Sequence, residues 1–486
     1  MDGSAHAAIA RTFAPAPPAH TGGEAELLFQ AQKRAFAEAG SPGATRRGAL
    51  LERLEKALLS YRAEIAQAIS EDFGHRSSDE TELLELVPSI KAIRHAKSHV
   101  VRWMRPEKRR VAFTMQPAKA WVEYQPLGVV GIISPWNYPL FLAASPLADA
   151  LAAGNRVMIK PSELTPRFSE LLKGIVTEAF DPGDVAVVTG GPDVAEAFSK
   201  LPFDHLLFTG ATSTGRKVMQ AAAANLTPVT LELGGKSPVV VCPDYATEKA
   251  ARAIAFGKFV NAGQTCIAPD YVLAPASRAM ELAEAILAEA ERLYPDIVDN
   301  PDYTSIITDR HYQRLTGAIE EARRAGATVL TIAEDSASNS RKIAPTIVLD
   351  PPRESLLMRE EVFGPVLPIV SSDSLEDALR IINKKDRPLA LYVLTNSDAS
   401  RRKILGRTIS GGVTLNGTIL HVAQNDLPFG GVGPSGMGAY HGYDGFKRFS
   451  HARAIHKVGF MNGFEHLAPP YGRLQKMAVD FLLGRG

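Results

Sequence analysis

Cysteine is nearly absent: two residues in 486 cannot build a disulfide framework, and a thiol used in chemistry cannot also be half of a bridge. A reducing, cytoplasmic setting is therefore expected. Charge of one sign is lacking too, because 54 Lys and Arg face 53 Asp and Glu for a formal net charge of +1. No global field recruits nucleic acid or an anionic membrane. Long apolar runs are also missing. The best candidate, Pro139 to Ala153, contains Pro146 and Asp149 and stops at Gly154-Asn155. It falls short of the ~20 apolar residues that span a bilayer and reads as a buried helix with a Gly/Asn C-cap. Residues 1–24 have neither the basic start nor the apolar core of a signal peptide and read as a flexible leader. The segment Leu474 to Leu483 is weakly amphipathic and too short for stable membrane anchoring.

What is present is ordinary in bulk and specific in detail. At 486 residues the chain exceeds one comfortable hydrophobic core, so two or three domains are expected. Hydrophobic content of 45% and charged content of 22% suit a soluble globular protein. Leu51, Leu54, Leu58, Tyr61, Ile65 and Ile69 recur at helical spacing, closed by Asp72-Phe73-Gly74. A second helical stretch runs from Glu80 to Met104, and Val111 to Leu127 reads as strands leaving the main sheet. Short β-rich runs then alternate with helices: Val129–Ile133, Arg156–Lys160, Val185–Val188 and His205–Phe208. A second series comprises Val239–Cys242, Tyr271–Ala274, Thr328–Thr331, Val366–Val370, Tyr392–Thr395 and Gly412–Asn416. Such alternation predicts doubly wound parallel sheets covered on both faces.

The chemistry concentrates in two places. Cys266 stands in Asn261-Ala262-Gly263-Gln264-Thr265-Cys266-Ile267-Ala268-Pro269, a polar turn, whereas Cys242 ends the apolar run Val239-Val240-Val241 and reads as structural. A nucleophilic cysteine needs an accessible polar niche that favours the thiolate, so Cys266 is the candidate nucleophile. Glu232 lies between two leucines and before Gly234-Gly235-Lys236. Apolar surroundings raise a carboxyl's pKa and suit it to general-base work, and the two glycines leave room for a ligand. Gly210-Ala211-Thr212-Ser213-Thr214-Gly215 follows a strand and opens a helix, a setting that suits a pyrophosphate. It is not the Gly-x-Gly-x-x-Gly fingerprint, so by itself the pattern is weak.

Glu-Leu-Gly-Gly-Lys and Gly-Gln-Thr-Cys at this spacing resemble the aldehyde dehydrogenase superfamily. Further parts of its signature follow in order: Pro135-Trp136-Asn137, Lys160-Pro161-Ser162-Glu163, Phe208-Thr209-Gly210, Glu360-Glu361-Val362-Phe363-Gly364-Pro365 and Leu427-Pro428-Phe429-Gly430-Gly431. The resemblance spans roughly residues 25 to 460. It implies an α/β fold in which a Rossmann-type cofactor domain (25–108 and 128–233) joins an α/β catalytic domain (234–425). A small β oligomerisation extension (109–127 and 426–460) and a C-terminal tail (461–486) complete it.

The resemblance also implies roles. Cys266 attacks the aldehyde, Asn137 stabilises the oxyanion, and Glu232 activates water against the thioester. The cofactor lies across Trp136, Lys160, Glu163, Gly210, Thr212 and Gly215, with Glu361 and Phe363 at its nicotinamide end. A carboxylate at Glu163 accepts from a free 2′-hydroxyl and repels a 2′-phosphate, which favours NAD, while Lys160 leaves NADP open. Ala211 departs from the family, which often has Ser there.

Several stretches resemble the class-3-like branch: Leu226 to Glu232, Ala268-Pro269-Asp270-Tyr271 and Gly436-Met437-Gly438-Ala439-Tyr440-His441-Gly442. That branch implies a homodimer acting on aromatic and medium-to-long aliphatic aldehydes. Asp72-Phe73-Gly74-His75-Arg76-Ser77, Tyr124-Gln125-Pro126-Leu127-Gly128 and Pro469-Pro470-Tyr471-Gly472 resemble bacterial members whose substrate is a phenylpropenal such as coniferyl aldehyde. The rivals are an aliphatic or general aromatic aldehyde dehydrogenase, an acylating relative using coenzyme A, and a non-catalytic protein on the same fold. No metal is expected: His95 and His99 have ligand spacing but no obvious third partner, and read as helix surface. The basic run Arg102 to Arg110 includes Glu107 and reads as a solvated bridge.

Overall fold

Three sheets organise the chain in a computed structural model that describes residues 23–333 and 340–484. The first has six strands, in the order Gly436–Met437, Val229–Glu232, His205–Thr209, Val129–Ile133, Arg156–Lys160, Val185–Val187. All but Gly436–Met437 run parallel. Its strands read as near-continuous apolar runs because both faces are covered. Val130 and Ile132 enter one hydrophobic core, while Val129 and Ile133 of the same strand enter another, as the two-residue side-chain period requires. The chain enters at Val129–Ile133 and winds outward first to one side and then to the other. The strand order therefore reverses between Val129–Ile133 and His205–Thr209, and the crevice beyond their carboxyl ends is where such sheets bind ligands.

The second sheet has seven strands, in the order Thr328–Thr331, Thr346–Leu349, Val366–Ser372, Tyr271–Pro275, Pro238–Val241, Ala390–Leu394, Gly412–Leu415. Here a wholly parallel expectation is corrected: Thr328–Thr331 pairs antiparallel with Thr346–Leu349, and the remaining pairs are parallel. A third, antiparallel sheet joins Glu107–Arg109, Lys119–Pro126 and Ser450–Lys457. Tyr124 anchors it by packing against Phe446, which in turn packs on Trp103.

Other departures from the sequence reading have local causes. The single helix expected across Leu51–Phe73 is two, Ala44–Ser60 and Arg62–Phe73, broken at Tyr61 (φ −109°, ψ 22°). The leader expected over residues 1–24 overruns a helix that begins at Gly23; residues 1–22 lie outside the described residues. His95 and His99 are half-buried rather than surface residues. Their rings stack on each other and on Trp103, and His95 Nε2 lies 3.4 Å from Asp426. The expected buried helix is Phe141–Ala153, capped by Gly154 in the left-handed region (φ 93°) with its N–H donating to Ala150 O. The tail carries a helix, Arg473–Leu482, whose Leu474, Met477 and Phe481 are exposed. Among the described residues no helix is long and apolar enough to cross a membrane.

Candidate active site

Strand ends bring the sequence-selected residues to one region. Val129–Ile133 delivers Trp136 and Asn137, Arg156–Lys160 ends at Lys160, His205–Thr209 leads to Gly210, and Val229–Glu232 ends at Glu232. Cys266 precedes strand Tyr271–Pro275 of the other sheet, and Glu361 precedes strand Val366–Ser372. The cleft between the sheets holds about 430 Å³ and is lined by Thr212, Gly234, Glu361, Ser435, Arg353 and Arg387 among others.

The turn before Cys266 is strained and heavily braced. Asn261, Ala262 and Gly263 all have positive φ (52°, 49° and 72°), a conformation that costs an L-residue about 1–2 kcal/mol each. The Asn261 N–H donates to Glu80 Oε2 at 3.1 Å, and its side-chain amide donates to the carbonyls of Asn137 (3.0 Å) and Gln264 (3.2 Å). Gln264 in turn donates to Asn261 O (3.1 Å) and Ser305 O (3.0 Å) and accepts from the Ile307 N–H (2.9 Å). The Asn137 amide donates to Gln264 O at 3.1 Å, and the Tyr138 hydroxyl meets Thr265 Oγ1 at 2.7 Å. An amide NH₂ has two donors, so the bond to Gln264 orients Asn137 and leaves its second N–H for a ligand oxygen.

Burial sets the titration of the site. Burial pushes the Cys266 thiol up to about 12, helped by the carboxylates of Glu361 and Glu232. The sequence reading asks for a niche that favours the thiolate, and burial works against it here. Glu232 is 2% exposed, and neither carboxylate oxygen has a hydrogen-bond partner among the described residues. Burial holds its carboxyl well above the usual range, opposed only by the charge of Arg448. Glu361 is pushed up to about 8 by burial and by Asp270, although it accepts from the Gly235 N–H. Its backbone is pinned from both sides. Lys236 Nζ donates to Glu360 O at 2.9 Å and pairs with Asp270, which accepts from the Val362 N–H at 2.7 Å. A Cβ at Gly234 would lie 2.0 Å from Glu361 Oε2, so a side chain there would displace the Glu361 carboxylate.

Of the remaining cofactor candidates, Thr212 lines this cleft, and the others lie at or after the strand ends of the first sheet and before strand Val366–Ser372. Lys160 is buried and donates to Pro161 O at 2.7 Å. Glu163, its side chain 41% exposed, lies 3.6 Å from the Lys160 ammonium. Burial lowers the Lys160 pKa, and Glu163 partly restores it. Ala211 stands at the N-cap of helix Thr212–Ala223 without a side-chain capping bond. Thr212 Oγ1 donates to Pro434 O at 3.3 Å, tying the loop to the glycine-dense turn. Gly215 packs tightly against Leu233, and the Gly210 N–H donates to Glu232 O at 3.0 Å. Trp136 meets Phe363 edge to face at 5.4 Å and His311 at 5.5 Å.

Several neighbours escaped the sequence reading. Tyr440 feels the charges of Glu232, Asp149 and Cys266, and its buried hydroxyl has no partner among the described residues. His441 and His421 each stack on Phe429, at 5.3 and 5.9 Å, and burial lowers them to about 3 and 4. Tyr440-His441 had signalled only through its glycine-rich context. Arg76, Glu80 and Glu85 carried no signal at all as site residues.

A doubly wound nucleotide-type sheet beside a second α/β sheet, with a half-buried thiol and a buried carboxyl brought within electrostatic reach of each other, is the framework of an oxidoreductase. The chain belongs to the aldehyde dehydrogenase family, whose profile matches residues 11–455. It is 50% identical to a probable coniferyl aldehyde dehydrogenase of Pseudomonas aeruginosa over 459 residues, 94% of this chain and 96% of that one. With the dog protein named aldehyde dehydrogenase, dimeric NADP-preferring, it shares 41% identity over 83% of this chain and 88% of that one. Among solved structures, the substrate-bound Staphylococcus aureus AldH superposes with a TM-score of 0.89 at 36% identity, covering 94% of this chain and 99% of that one. A Mycobacterium tuberculosis aldehyde dehydrogenase complexed with NAD⁺ superposes with a TM-score of 0.82 at 28% identity, covering 92% of each chain. The fold and the use of a nicotinamide cofactor follow from membership of the family.

Proposed function

We propose that this enzyme oxidises a phenylpropenal, coniferyl aldehyde foremost, to its carboxylic acid through a thioester on Cys266. The observation that carries the chemistry is Glu232, a buried and unpartnered carboxyl within electrostatic reach of Cys266. The Cys266 sulfur adds to the carbonyl carbon and the thiol proton leaves. Because burial keeps that thiol protonated, a base must take the proton, and Glu232 is the near candidate. The free N–H of the Asn137 amide steadies the oxyanion. Bound NAD supplies the hydride acceptor that the protein side chains lack. Once Glu232 has passed that proton to solvent, it takes one from water as the water oxygen adds to the thioester carbon; the carbon–sulfur bond breaks, Cys266 regains a proton, and the acid departs.

The residues fit a dinucleotide. Glycines at 234 and 235 keep side chains out of the cleft, and Arg353, Arg359, Lys385 and Arg387 on its wall suit a dianionic pyrophosphate. In this reading Lys160 and Glu163 hold the adenosine ribose, and Trp136, Gly210, Thr212 and Gly215 line its approach. Glu361 and Phe363 hold the nicotinamide end. Glu163 disfavours a 2′-phosphate; the buried Lys160 ammonium beside it tolerates one, so NADP is a secondary cofactor.

Coniferyl aldehyde as substrate is supported by the Pseudomonas relative named for it. A homodimer is supported by the dog relative named as dimeric and by two sheet edges that no strand pairs among the described residues, Gly412–Leu415 and the exposed Ser450–Lys457. Two free cysteines, one of them the reacting thiol, suit a cytoplasmic setting.

NADH formation with coniferyl aldehyde, benzaldehyde and an aliphatic series, in wild type and Cys266→Ala, tests the reading. Turnover that requires Cys266 and is strongest on coniferyl aldehyde is expected. Preference for hexanal or longer chains would overturn the substrate, an acyl-coenzyme A product would overturn hydrolysis, and an active Cys266→Ala enzyme would overturn the mechanism.

A further inference from the structure

One ionic cluster lies behind the site and takes no part in the steps above. Arg76 is 1% exposed, carried on the turn after helix Arg62–Phe73. Its guanidinium sits between the rings of Phe73 (5.3 Å) and Tyr138 (5.1 Å). Nη1 donates to Glu85 Oε1 at 2.5 Å and to the backbone carbonyl of Asn137 at 3.4 Å, and Nε donates to Glu80 Oε1 at 3.2 Å. Nη2 is buried without a partner among the described residues.

The two carboxylates carry the cluster onward. Glu85 Oε2 accepts from the N–H groups of Leu140 (2.7 Å) and Phe141 (3.3 Å), where helix Phe141–Ala153 starts. Glu85 itself lies in a single π-helical turn, Glu82–Leu86; such one-residue bulges recur at functional sites. Glu80 accepts from Thr304 Oγ1 at 3.0 Å and from the Asn261 N–H at 3.1 Å, the first residue of the strained turn before Cys266. The same Asn137 carbonyl that Arg76 contacts also accepts from the Asn261 side chain at 3.0 Å.

We propose that Arg76 is a positioning residue for the dehydrogenase reaction: through the Asn137 carbonyl and the Glu80–Glu85 pair it fixes Asn137 relative to the turn that presents Cys266. A buried ion cluster is a poor source of stability, because desolvation offsets most of the pairing. Its geometric yield here is large. One planar fork reaches three acceptors that a point-charge ammonium cannot span together, and those acceptors sit on the segments bearing the oxyanion donor and the nucleophile. Among the described residues the partners of the Arg76 guanidinium are Glu80, Glu85, the Asn137 carbonyl and the rings of Phe73 and Tyr138, so it acts through Asn137. The inference rests on the role given to Asn137 above.

The test is a double-mutant cycle in the full-length enzyme, using Arg76→Lys, Asn137→Ala and the double variant. The readouts are single-turnover NADH formation, the dissociation constant of NAD and the melting temperature. Arg76→Lys keeps the buried charge that Arg76→Met would remove from between Glu80 and Glu85, and the cycle therefore uses the former. Arg76→Lys is expected to slow the single turnover by about 10-fold or more, with NAD affinity within about twofold of wild type. In the Asn137→Ala background the same change is expected to cost less than about threefold, because its target is gone. An Arg76→Lys enzyme as fast as wild type overturns the inference. So does a loss that multiplies in full on top of Asn137→Ala, which is the behaviour of a residue acting elsewhere. If Asn137→Ala is itself as fast as wild type, the oxyanion role fails instead, and the two failures are distinct.

Discussion

Glu361→Gln offers a quantitative test of how the site is built. Burial and the neighbouring Asp270 raise the Glu361 carboxyl from its ordinary 4.5 to about 8. An acid whose folded pKa exceeds its unfolded one binds more protons when folded. Its contribution to stability is therefore fully present below pH 4.5 and drains as pH rises through about 8. Each pH unit in that interval costs about 1.36 kcal/mol, so the whole interval amounts to about 5 kcal/mol. About 3 kcal/mol of it is lost between pH 5.5 and pH 8.5, since the drain stops near 8. Glutamine keeps the carbonyl oxygen that accepts from the Gly235 N–H and cannot ionise. Urea unfolding of both proteins at the two pH values is the assay. Wild type is expected to lose about 3 kcal/mol relative to Glu361→Gln as pH rises. A gap that stays constant, or one that opens in favour of wild type, would refute a buried carboxyl neutral at low pH.

Three further outcomes follow from the same geometry. Glu232→Gln removes the base and keeps the shape, so steady-state turnover falls by about 10²–10⁴-fold. A rapid first turnover of NADH that survives in Glu232→Gln locates the loss in thioester hydrolysis, whereas loss of that burst as well places Glu232 in thiol deprotonation. Gly263→Ala puts a Cβ about 2.3 Å from the Gly364 carbonyl oxygen at φ 72°. Denaturation should show destabilisation of about 1–3 kcal/mol and kinetics a slowed turnover; an unaffected enzyme would mean that the turn relaxes freely. Alkylation of Cys266 by iodoacetamide in the ligand-free enzyme, followed by peptide mass spectrometry, should accelerate about 10-fold per pH unit through pH 9 without levelling. A plateau near pH 7 would show that the thiolate is already favoured.

The parallel strands were legible because burial on both faces leaves few polar letters to confuse the reading. Val129–Ile133 and Arg156–Lys160 stand where the apolar runs placed them. Neither Val229–Glu232 nor Ser450–Lys457 is among the strands that the alternation predicts. The latter alternates His, Ala and basic residues on an exposed edge, where hydrophobic pattern carries no information. The break at Tyr61 has no glycine or proline to announce it. The Tyr61 hydroxyl instead reaches Glu178 Oε2 at 2.5 Å, a partner 117 positions away.

The site divides along the same line. Cys266 and Glu232 could be chosen from their immediate neighbours, because a thiol among polar residues and a carboxylate among leucines are each anomalous locally. Their titration could not, since Cys266 is governed by burial and by Glu361, 95 positions on. Arg76, Glu80 and Glu85 are locally unremarkable: charged residues on a turn or a helix normally face water. Only their convergence under Asn137 and Asn261 gives them meaning, and the energetic argument runs the same way. An arginine buried to 1% exposure between two rings is costly unless something downstream depends on its geometry. What depends on it here is the alignment of an amide with a sulfur, in an enzyme whose nucleophile sits at the end of three left-handed residues that would otherwise relax.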